Sequence, residues 1–196
     1  MNAISQQAQD TILGQARTHF QWQDKAVPEA LLREVYDLAK MGATSANCSP
    51  ARFVFVTTDE GRERIKPHLI PSNVEKTMSA PVTVIIGYDL KFYDRVPELF
   101  PHAPEAREWF NGSDEIILAN AVRNGTLQGA YFMLAARAKG LDCGPMSGYD
   151  PIGLDAEIWP DGQCRSNFLC NLGYGDASAL HPRLPRLDFA DACEVI

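Results

Sequence analysis

The sequence predicts a single α/β (α+β) domain, a three-layer sandwich in which helices cover a central mixed sheet. Segments with apolar residues at every third or fourth position alternate with short segments rich in β-branched and aromatic residues. One of the latter, residues 82–88, is continuously apolar, which is typical of a strand buried on both faces. With 196 residues and 45% hydrophobic composition, the chain can bury one complete core.

The first half of the chain begins with two predicted helices. Apolar spacing places one from Ile4 to about residue 16, and a second begins at Pro28 and ends by Gly42. Residues 52–57 are the first predicted strand. Helical spacing returns over 59–69 and 73–79, and residues 82–88 form the second strand. The order helix, strand, helix, strand favours a layered fold.

The segment 90–111 carries three prolines among aromatic residues, which predicts an irregular excursion of the kind used as a lid or binding loop. Residues 114–139 then have the longest helical period of the chain, ended by Gly140. A central core helix is the favoured interpretation. The alternative is a seam between two copies of the chain, because Gly125, Gly129 and several alanines allow close approach.

The last part of the chain predicts a turn at 144–148, a short helix at 152–159 and a third strand at 168–174. The tail around 181–186 is too rich in proline for a helix. We find no repeat, low-complexity tract or linker in the sequence, and therefore predict one domain over residues 1–196.

Composition excludes several classes of function. Eighteen basic and 25 acidic side chains give a net charge of −7, which argues against a nucleic-acid surface. Five cysteines without a Cys-x-x-Cys pair favour reduced thiols over disulfides or zinc. The sequence lacks a signal-peptide pattern and an apolar stretch of membrane-spanning length. We therefore expect a soluble, cytoplasmic protein that binds neither nucleic acid nor membrane.

Common catalytic signatures are also missing from the sequence. It contains no P-loop, no Gly-x-Gly-x-x-Gly before a helix, no Gly-x-Ser-x-Gly elbow and no His-Glu-x-x-His pair. The four histidines are scattered, so no metal site is predicted.

Three polar segments stand out, although each also has an ordinary structural explanation. The loop 44–53 offers Thr, Ser and Asn side chains that both donate and accept hydrogen bonds, as a heteroaromatic ring edge requires. Asn73 and Lys76 share one face at helical spacing. Glycines flank residues 144–148, which lets main-chain N–H groups approach a ligand closely. A structural turn would also explain the loop 44–53, a solvated helix surface would explain Asn73 and Lys76, and a tight connection would explain residues 144–148.

In combination and in order, these segments resemble the FMN-dependent nitroreductase family over nearly the whole chain. The resemblance rests on Arg17-Thr18, the loop 43–53, Asn73 with Lys76, residues 143–148 and Arg183-Leu184-Pro185. Ala43, Ser49 and Ala51 depart from the Pro, Gln and Trp that the broad family favours. The motif Thr-Ser-Ala-Asn-Cys-Ser-Pro-Ala-Arg, together with Gly-Pro-Met-Ser-Gly, is instead similar to the sequences of the RutE branch, the malonic semialdehyde reductases of pyrimidine degradation.

The resemblance implies a set of FMN-binding residues. Arg17, Thr18 and Arg183 would meet the phosphate, with His19 or His181 adding a proton. Amides and hydroxyls would meet the pyrimidine edge, and Lys76 would lie near N1 and O2, where reduced flavin is negative. The glycine-flanked segment would face the ring, with Ser147 or Gly148 near N5. The complete predicted set is Arg17, Thr18, His19, Ser45, Asn47, Asn73, Lys76, Pro145, Met146, Ser147, Gly148, His181 and Arg183.

The resemblance also implies NAD(P)H as reductant and an obligate homodimer, with the C-terminal tail exchanged and part of the loop 44–47 serving the partner's flavin. The implied reaction reduces 3-oxopropanoate to 3-hydroxypropanoate. A broad nitro or quinone reductase is the alternative, and a non-catalytic flavin-binding regulatory dimer is an alternative of another class. Arg52 and Arg107 are candidate anchors for the substrate carboxylate, although a surface or structural role is the favoured interpretation of both, and the sequence identifies no general acid.

Overall fold

The computed structural model describes residues 2–196 and contains one four-stranded sheet. Its strands are β1 (Ala51–Val56), β2 (Val82–Asp89), β3 (Asp142–Met146) and β4 (Cys164–Gly173), in the order β1-β2-β4-β3. All neighbouring strands are antiparallel. The predicted mixed sheet is therefore wrong for these strands, and a parallel contact occurs at the isolated bridge between Thr18 and Cys143. Val56 pairs with Thr83, so the segment between β1 and β2 leaves and re-enters at one end of the sheet.

The helices confirm most of the predicted positions. Asp59–Ile65 continues into a 3₁₀ turn, Lys66–His68, and the predicted helix at 152–159 is observed one residue earlier. The first helix becomes a π-turn at Asp10–Gly14. The α-helices are α1 (Gln6–Gln9), α2 (Glu29–Ala39), α3 (Asp59–Ile65), α4 (Pro71–Met78), α5 (Val96–Leu99), α6 (Asp114–Ala138), α7 (Pro151–Ile158) and α8 (Phe189–Ala192).

The turn predicted at 144–148 is wrong over its first half, because Gly144, Pro145 and Met146 belong to β3. β3 is the last strand of the sheet, and an edge strand tolerates a proline that cannot donate to the ladder. Only glycine fits at position 144, since a Cβ there would lie 2.4 Å from the main-chain oxygen of His19. Because Gly144 and Pro145 have low β-propensity, the sequence predicts a turn where the structure has a strand.

Helices cover both faces of the sheet, as predicted. On one face, Val84 and Ile86 of β2 pack with Phe132 of α6 and Val35 of α2. On the other, Ile85 packs with residues of α3 and α7. Every residue of β2 is buried, which confirms the strand predicted to be covered on both sides. The core interpretation of α6 is likewise confirmed by its fully buried Phe132 and Ala136.

Residues 90–111 form short helical turns around a small core of their own. Phe92, Val96 and Ala106 are completely buried, and Phe110 packs against them and against Ala121 of α6. This segment is therefore irregular, as predicted, and well packed. It adds a lobe beside the start of α6.

The C-terminal tail is exposed throughout. Each residue from 181 to 196 is exposed, including the apolar side chains of Leu184, Leu187, Phe189, Val195 and Ile196. None of the helices in residues 2–196 combines the length and apolarity needed to cross a membrane.

Candidate functional site

A groove of about 750 Å³ lies between α4, β3, the segment 18–22 and the start of the tail. We call it the α4–β3 groove. Five of the predicted cofactor-binding residues line it: Thr18, His19, Lys76, Pro145 and His181. Trp22 fixes one wall, because its Nε1 donates to the main-chain oxygen of Lys76 at 3.2 Å. The fold thus gathers residues from four separate parts of the sequence.

The predicted N-terminal and C-terminal phosphate residues meet at one end of this groove. The Arg17 guanidinium donates to the main-chain oxygen of His181, and the Arg183 Nη2 donates to that of Ala16 at 3.2 Å. The Phe20 ring stacks on the His181 imidazole, with ring centroids 5.2 Å apart. These contacts hold the tail next to residues 16–20.

The α4–β3 groove continues into a basic cleft of about 600 Å³, which we call the arginine cleft. Arg17, Arg137, Arg183 and Arg186 line it, and Thr18, Phe20 and His181 line both cavities. None of the four arginines has a salt-bridge partner among residues 2–196. In a protein of net charge −7, this cleft is therefore a locally basic surface, whose charge favours an anion over a cation.

Sequence reasoning missed Arg137, which lies in the last turn of α6. Its Nη1 donates to the main-chain oxygen of Ile12 at 3.0 Å, whereas its Nε is buried with no hydrogen-bond partner in the described chain. Since a buried unpaired donor is costly, an anion that accepts from this nitrogen would be bound favourably. A single arginine near the end of a long helix gives no signal in the sequence.

His19 has a different partner from the one predicted. Its side chain is buried against Gly175, and Nε2 lies 3.4 Å from Asp142 Oδ1. A Cβ at position 175 would fall 1.9 Å from His19 Nδ1, so glycine is needed there. The imidazole packs between β3 and the end of β4, and the structure therefore favours a structural role over proton donation to a phosphate.

Asn73 and Lys76 lie on α4 as predicted but have different surroundings. Asn73 is only 4% exposed, and its Nδ2 donates to the Gly148 oxygen at 2.7 Å. It fixes the main chain at Gly148. Lys76 is half-buried, lines the α4–β3 groove and has no acidic partner in residues 2–196. Its ammonium group is available to an anionic ligand.

The segment 145–148 divides between two cavities. Pro145 lines the α4–β3 groove, whereas Ser147 lines a separate cavity of about 720 Å³ beside β4. Met146 packs into the sheet core, where its Sδ accepts from Thr77 Oγ1 at 3.6 Å. The Met146 side chain is thus partly buried against the core and lines neither cavity.

Ser45 and Asn47 do not line the α4–β3 groove of their own chain. The Ser45 N–H donates to Asn124 Oδ1 at 2.9 Å, and Asn47 Nδ2 donates to the Leu99 oxygen at 2.8 Å. Asn47 instead lines another surface groove, together with Ser49 and Arg52. A single copy of the chain thus leaves this pair of predicted residues apart from the others.

The loop that carries Ser45 and Asn47 is conformationally strained. Ala46, Asn47 and Ser49 have φ values of 45°, 50° and 41°, a region that non-glycine residues rarely adopt. Two buried amides of α6 hold it, since Asn124 accepts from Ser45 and Gln128 Oε1 accepts from the Ala51 N–H at 2.8 Å. Strain retained by such anchors is common at ligand sites.

Arg52 and Arg107 both have acidic partners, which agrees with the favoured structural interpretation and is unfavourable for a role as substrate anchors. The Arg52 Nη2 lies 2.5 Å from Asp89 Oδ2. Arg107 is paired with Asp94 and Glu108, each at 2.9 Å, and these groups raise its pKa through hydrogen bonds that favour the charged form. Neither guanidinium is available without breaking an ion pair.

Comparison with known proteins gives one consistent result. The Nitroreductase family matches residues 14–159. A protein from Cupriavidus pinatubonensis, named "Putative NADH dehydrogenase/NAD(P)H nitroreductase", is 53% identical over 188 residues, which cover 95% of this chain and 96% of that protein. A Burkholderia lata protein of the same name is 54% identical over 195 residues and covers 100% of both chains.

A solved structure from Exiguobacterium sibiricum, provisionally described as a nitroreductase in complex with FMN, has the same fold. Its TM-score is 0.85 at 18% identity, with 100% of this chain and 99% of that chain covered. Fold, order of elements and family match agree. The chain belongs to the nitroreductase family, a family of α+β oxidoreductases.

Proposed function

We propose that the protein is an FMN-dependent NAD(P)H oxidoreductase. The observation that carries the proposal is the arginine cleft, in which four arginines without acidic partners in residues 2–196 adjoin the groove lined by Lys76. A phosphate at one end and a ring that is anionic when reduced at the other match this distribution of charge. The FMN complex of the Exiguobacterium protein supports the same cofactor.

Each residue of this site then has a definite task. Arg17 and Arg183 bind phosphate oxygens and Thr18 donates its hydroxyl. Lys76 places positive charge beside the pyrimidine part of the ring and stabilises the reduced form. Main-chain N–H groups at Ser147 or Gly148 lie near N5, with Gly148 fixed by Asn73. Bound FMN supplies hydride transfer between NAD(P)H and an acceptor.

We further propose a homodimer in which Ser45 and Asn47 reach the flavin of the partner subunit. The exposed tail carries five large apolar side chains, of which Leu184, Leu187 and Phe189 are 72%, 75% and 68% exposed. α6 also exposes the apolar side chains of Leu118, Val122 and Leu127. Exposed apolar surface of this extent is typical of an interface, and a tail exchanged across it would cover both patches.

The substrate that we propose is 3-oxopropanoate, reduced to 3-hydroxypropanoate in the cytoplasm. The sequence of the loop around Asn47 and that of the segment Gly144-Pro145-Met146-Ser147-Gly148 support this choice, because both are similar to those of the RutE branch. A broad nitro or quinone reductase is the second candidate, supported by the names of the Cupriavidus and Burkholderia relatives. Comparing turnover of 3-oxopropanoate with that of a nitroaromatic compound, under one reductant, separates the two, and preference for the nitroaromatic would overturn the specific proposal.

A non-catalytic flavin-binding dimer is the candidate of another class. It predicts bound FMN whose absorption does not bleach when NADPH or NADH is added without oxygen. Rapid bleaching would exclude it, and failure of the purified protein to bind added FMN would overturn the proposed cofactor altogether.

A further inference from the structure

The cavity that Ser147 lines lies at the free edge of β4, and we call it the β4-edge cavity. β3 ends at Met146, which pairs with Leu169, so the first residues of β4 have no strand on that side. Residues of α7 and Trp159 also line this cavity. The cavity measures about 720 Å³, within the usual range for small-molecule sites.

The walls of this cavity carry an unusual set of polar groups. Tyr88, Tyr149 and Ser166 supply three hydroxyls, Arg165 a guanidinium and Asp155 a carboxylate. Ser166 is 8% exposed, and its Oγ is buried with no hydrogen-bond partner in the described chain, although the Tyr149 phenol lies near it. A buried hydroxyl without a partner at a cavity wall is a site that a polar ligand can satisfy.

The charges on this wall favour an anionic ligand at Arg165. Arg165 is exposed and has no acidic partner within 4.0 Å in the part of the chain that the structure describes. Asp155, the one acidic residue of the lining, is engaged already, because its Oδ1 accepts from the Ser166 N–H at 2.8 Å. Neither Arg165 nor Asp155 has a salt-bridge partner in residues 2–196, and Arg165 is the basic group of the lining that can pair with a negatively charged ligand.

The two phenols are in their protonated form at neutral pH. Burial raises the pKa of Tyr149, and the nearby Ser166 hydroxyl offsets this only in part. Burial also raises the pKa of Tyr88, against the opposing charge of Arg165. Tyr149 lines the same cavity as Ser147, and its main-chain N–H donates to the Ser147 oxygen at 3.2 Å, so the chain turns tightly between the two residues.

We propose that the β4-edge cavity receives the substrate of the proposed flavin reaction, a carbonyl compound that carries a carboxylate. Arg165 binds the carboxylate, and Tyr149 is the proton donor to the carbonyl oxygen. This inference rests on the proposed function through the position of Ser147 near N5. It assigns the carboxylate anchor, for which Arg52 and Arg107 are already paired, and the general acid that the sequence does not identify.

Bound reduced FMN would supply a hydride to the carbonyl carbon, where a C–H bond forms while the electron pair of the C=O π bond moves to oxygen. The Tyr149 O–H bond breaks as a new O–H bond forms on that oxygen, giving a hydroxy acid. The phenolate regains a proton from water at the exposed mouth of the cavity.

The volume exceeds the requirement of a three-carbon acid, so straight-chain oxo acids of four and five carbons are expected to be substrates as well. Uncharged aldehydes of equal length lack the contact with Arg165. Their KM should therefore be higher by about ten- to a hundredfold, the range typical of one charged hydrogen-bonded contact.

The test uses the full-length R165Q and Y149F variants, with R33Q as control because Arg33 lies exposed on α2. Saturation-transfer NMR measures the binding of propanoate, which cannot be reduced. R165Q should weaken it about ten- to a hundredfold, and R33Q should leave it unchanged. Y149F should keep propanoate binding and lower kcat for 3-oxopropanoate at least tenfold, with a reduced solvent isotope effect.

The FMN spectrum separates the failure of this inference from failure of the proposed function. Unchanged propanoate affinity in R165Q, or unchanged kcat in Y149F, would overturn the inference if the wild type binds FMN and oxidises NADPH. A wild type that binds no FMN overturns both. Weaker propanoate binding in R165Q with normal FMN content supports the inference.

Discussion

The Nη2 of Arg183 donates a hydrogen bond to the main-chain oxygen of Ala16, 3.2 Å away, and so joins the C-terminal tail to the segment before Arg17. This contact forms one side of the arginine cleft. It shows how an acidic chain without a basic run in its sequence gathers basic side chains in one place: the arginines are dispersed in sequence and meet only in the folded protein.

Replacing Arg183 with alanine should weaken FMN binding by about one to two decades, because removing a charged hydrogen-bond partner costs roughly 1.5–3 kcal/mol. Arg17→Ala should have a similar effect. Fluorescence titration of the apoprotein with FMN gives the dissociation constants, and Arg33→Ala is the control. Arg137 cannot serve as the control residue, because it lines the same cleft as Arg17 and Arg183. Equal constants for R183A and R33A would contradict the assignment.

Removing residues 181–196 should abolish the proposed dimer and reduce FMN binding at least as much as R183A does. The deletion removes His181 and Arg183 together with the exposed apolar side chains of the tail. Sedimentation velocity measures the oligomeric state, and circular dichroism checks that the truncated chain remains folded. A truncated protein that stays dimeric would show that the tail does not hold the interface.

Asn124→Ala should release the strained loop around Ala46. The mutation leaves the Ser45 N–H without its acceptor and removes a completely buried side chain, so the free energy of unfolding should fall by roughly 1–3 kcal/mol. Urea unfolding measures the loss. Asn120→Ala, in an exposed contact one turn away, is the matched control. If the loop serves a flavin, N124A should also raise the dissociation constant of FMN, whereas N120A should not.

The thiols should differ sharply in reactivity. Cys193 is exposed, whereas the other four cysteines are buried, and burial raises the pKa of Cys48 and Cys164 to about 11. At pH 8 a thiol reagent should therefore label Cys193 quickly and the buried thiols only after unfolding. Fast labelling of more than one thiol per native chain would contradict the structure.

The same pKa shifts predict a loss of stability in alkali. A thiol whose pKa is raised by folding stays protonated in the native state, while the unfolded state loses its proton near the ordinary value of 9.0. Stability is therefore intact below about pH 9 and declines between pH 9 and the folded value of about 11. Urea midpoints measured across this range test the direction, and Cys48→Ser should reduce the slope.

Much of the fold could be predicted because two elements carry strong periodic signals. The 25 residues of α6 are too many for a strand, whereas the eight residues of β2 are few for a helix and rich in β-branched side chains. β3 escaped prediction because a Gly-Pro pair opposes strand propensity and only the edge position makes it acceptable. The antiparallel order depends on where the connecting helices return, which local patterns do not encode.

The site was predictable in its residue types but not in its long-range contacts. Arg17, Thr18, Lys76, Pro145, His181 and Arg183 line adjoining cavities, as the motif order suggests. The inward position of His19 depends on Asp142 and on the missing side chain at Gly175. Asn124 and Gln128 face a loop distant in sequence, and their only signal is a pair of amides one turn apart within an apolar helix. Such pairings become visible only in three dimensions.

The absorption spectrum of the purified protein, recorded before and after anaerobic addition of NADPH, tests the central claim most directly. The account predicts a yellow protein with flavin bands that bleach on addition of NADPH and return when 3-oxopropanoate is added. A colourless protein that takes up no added FMN would contradict it.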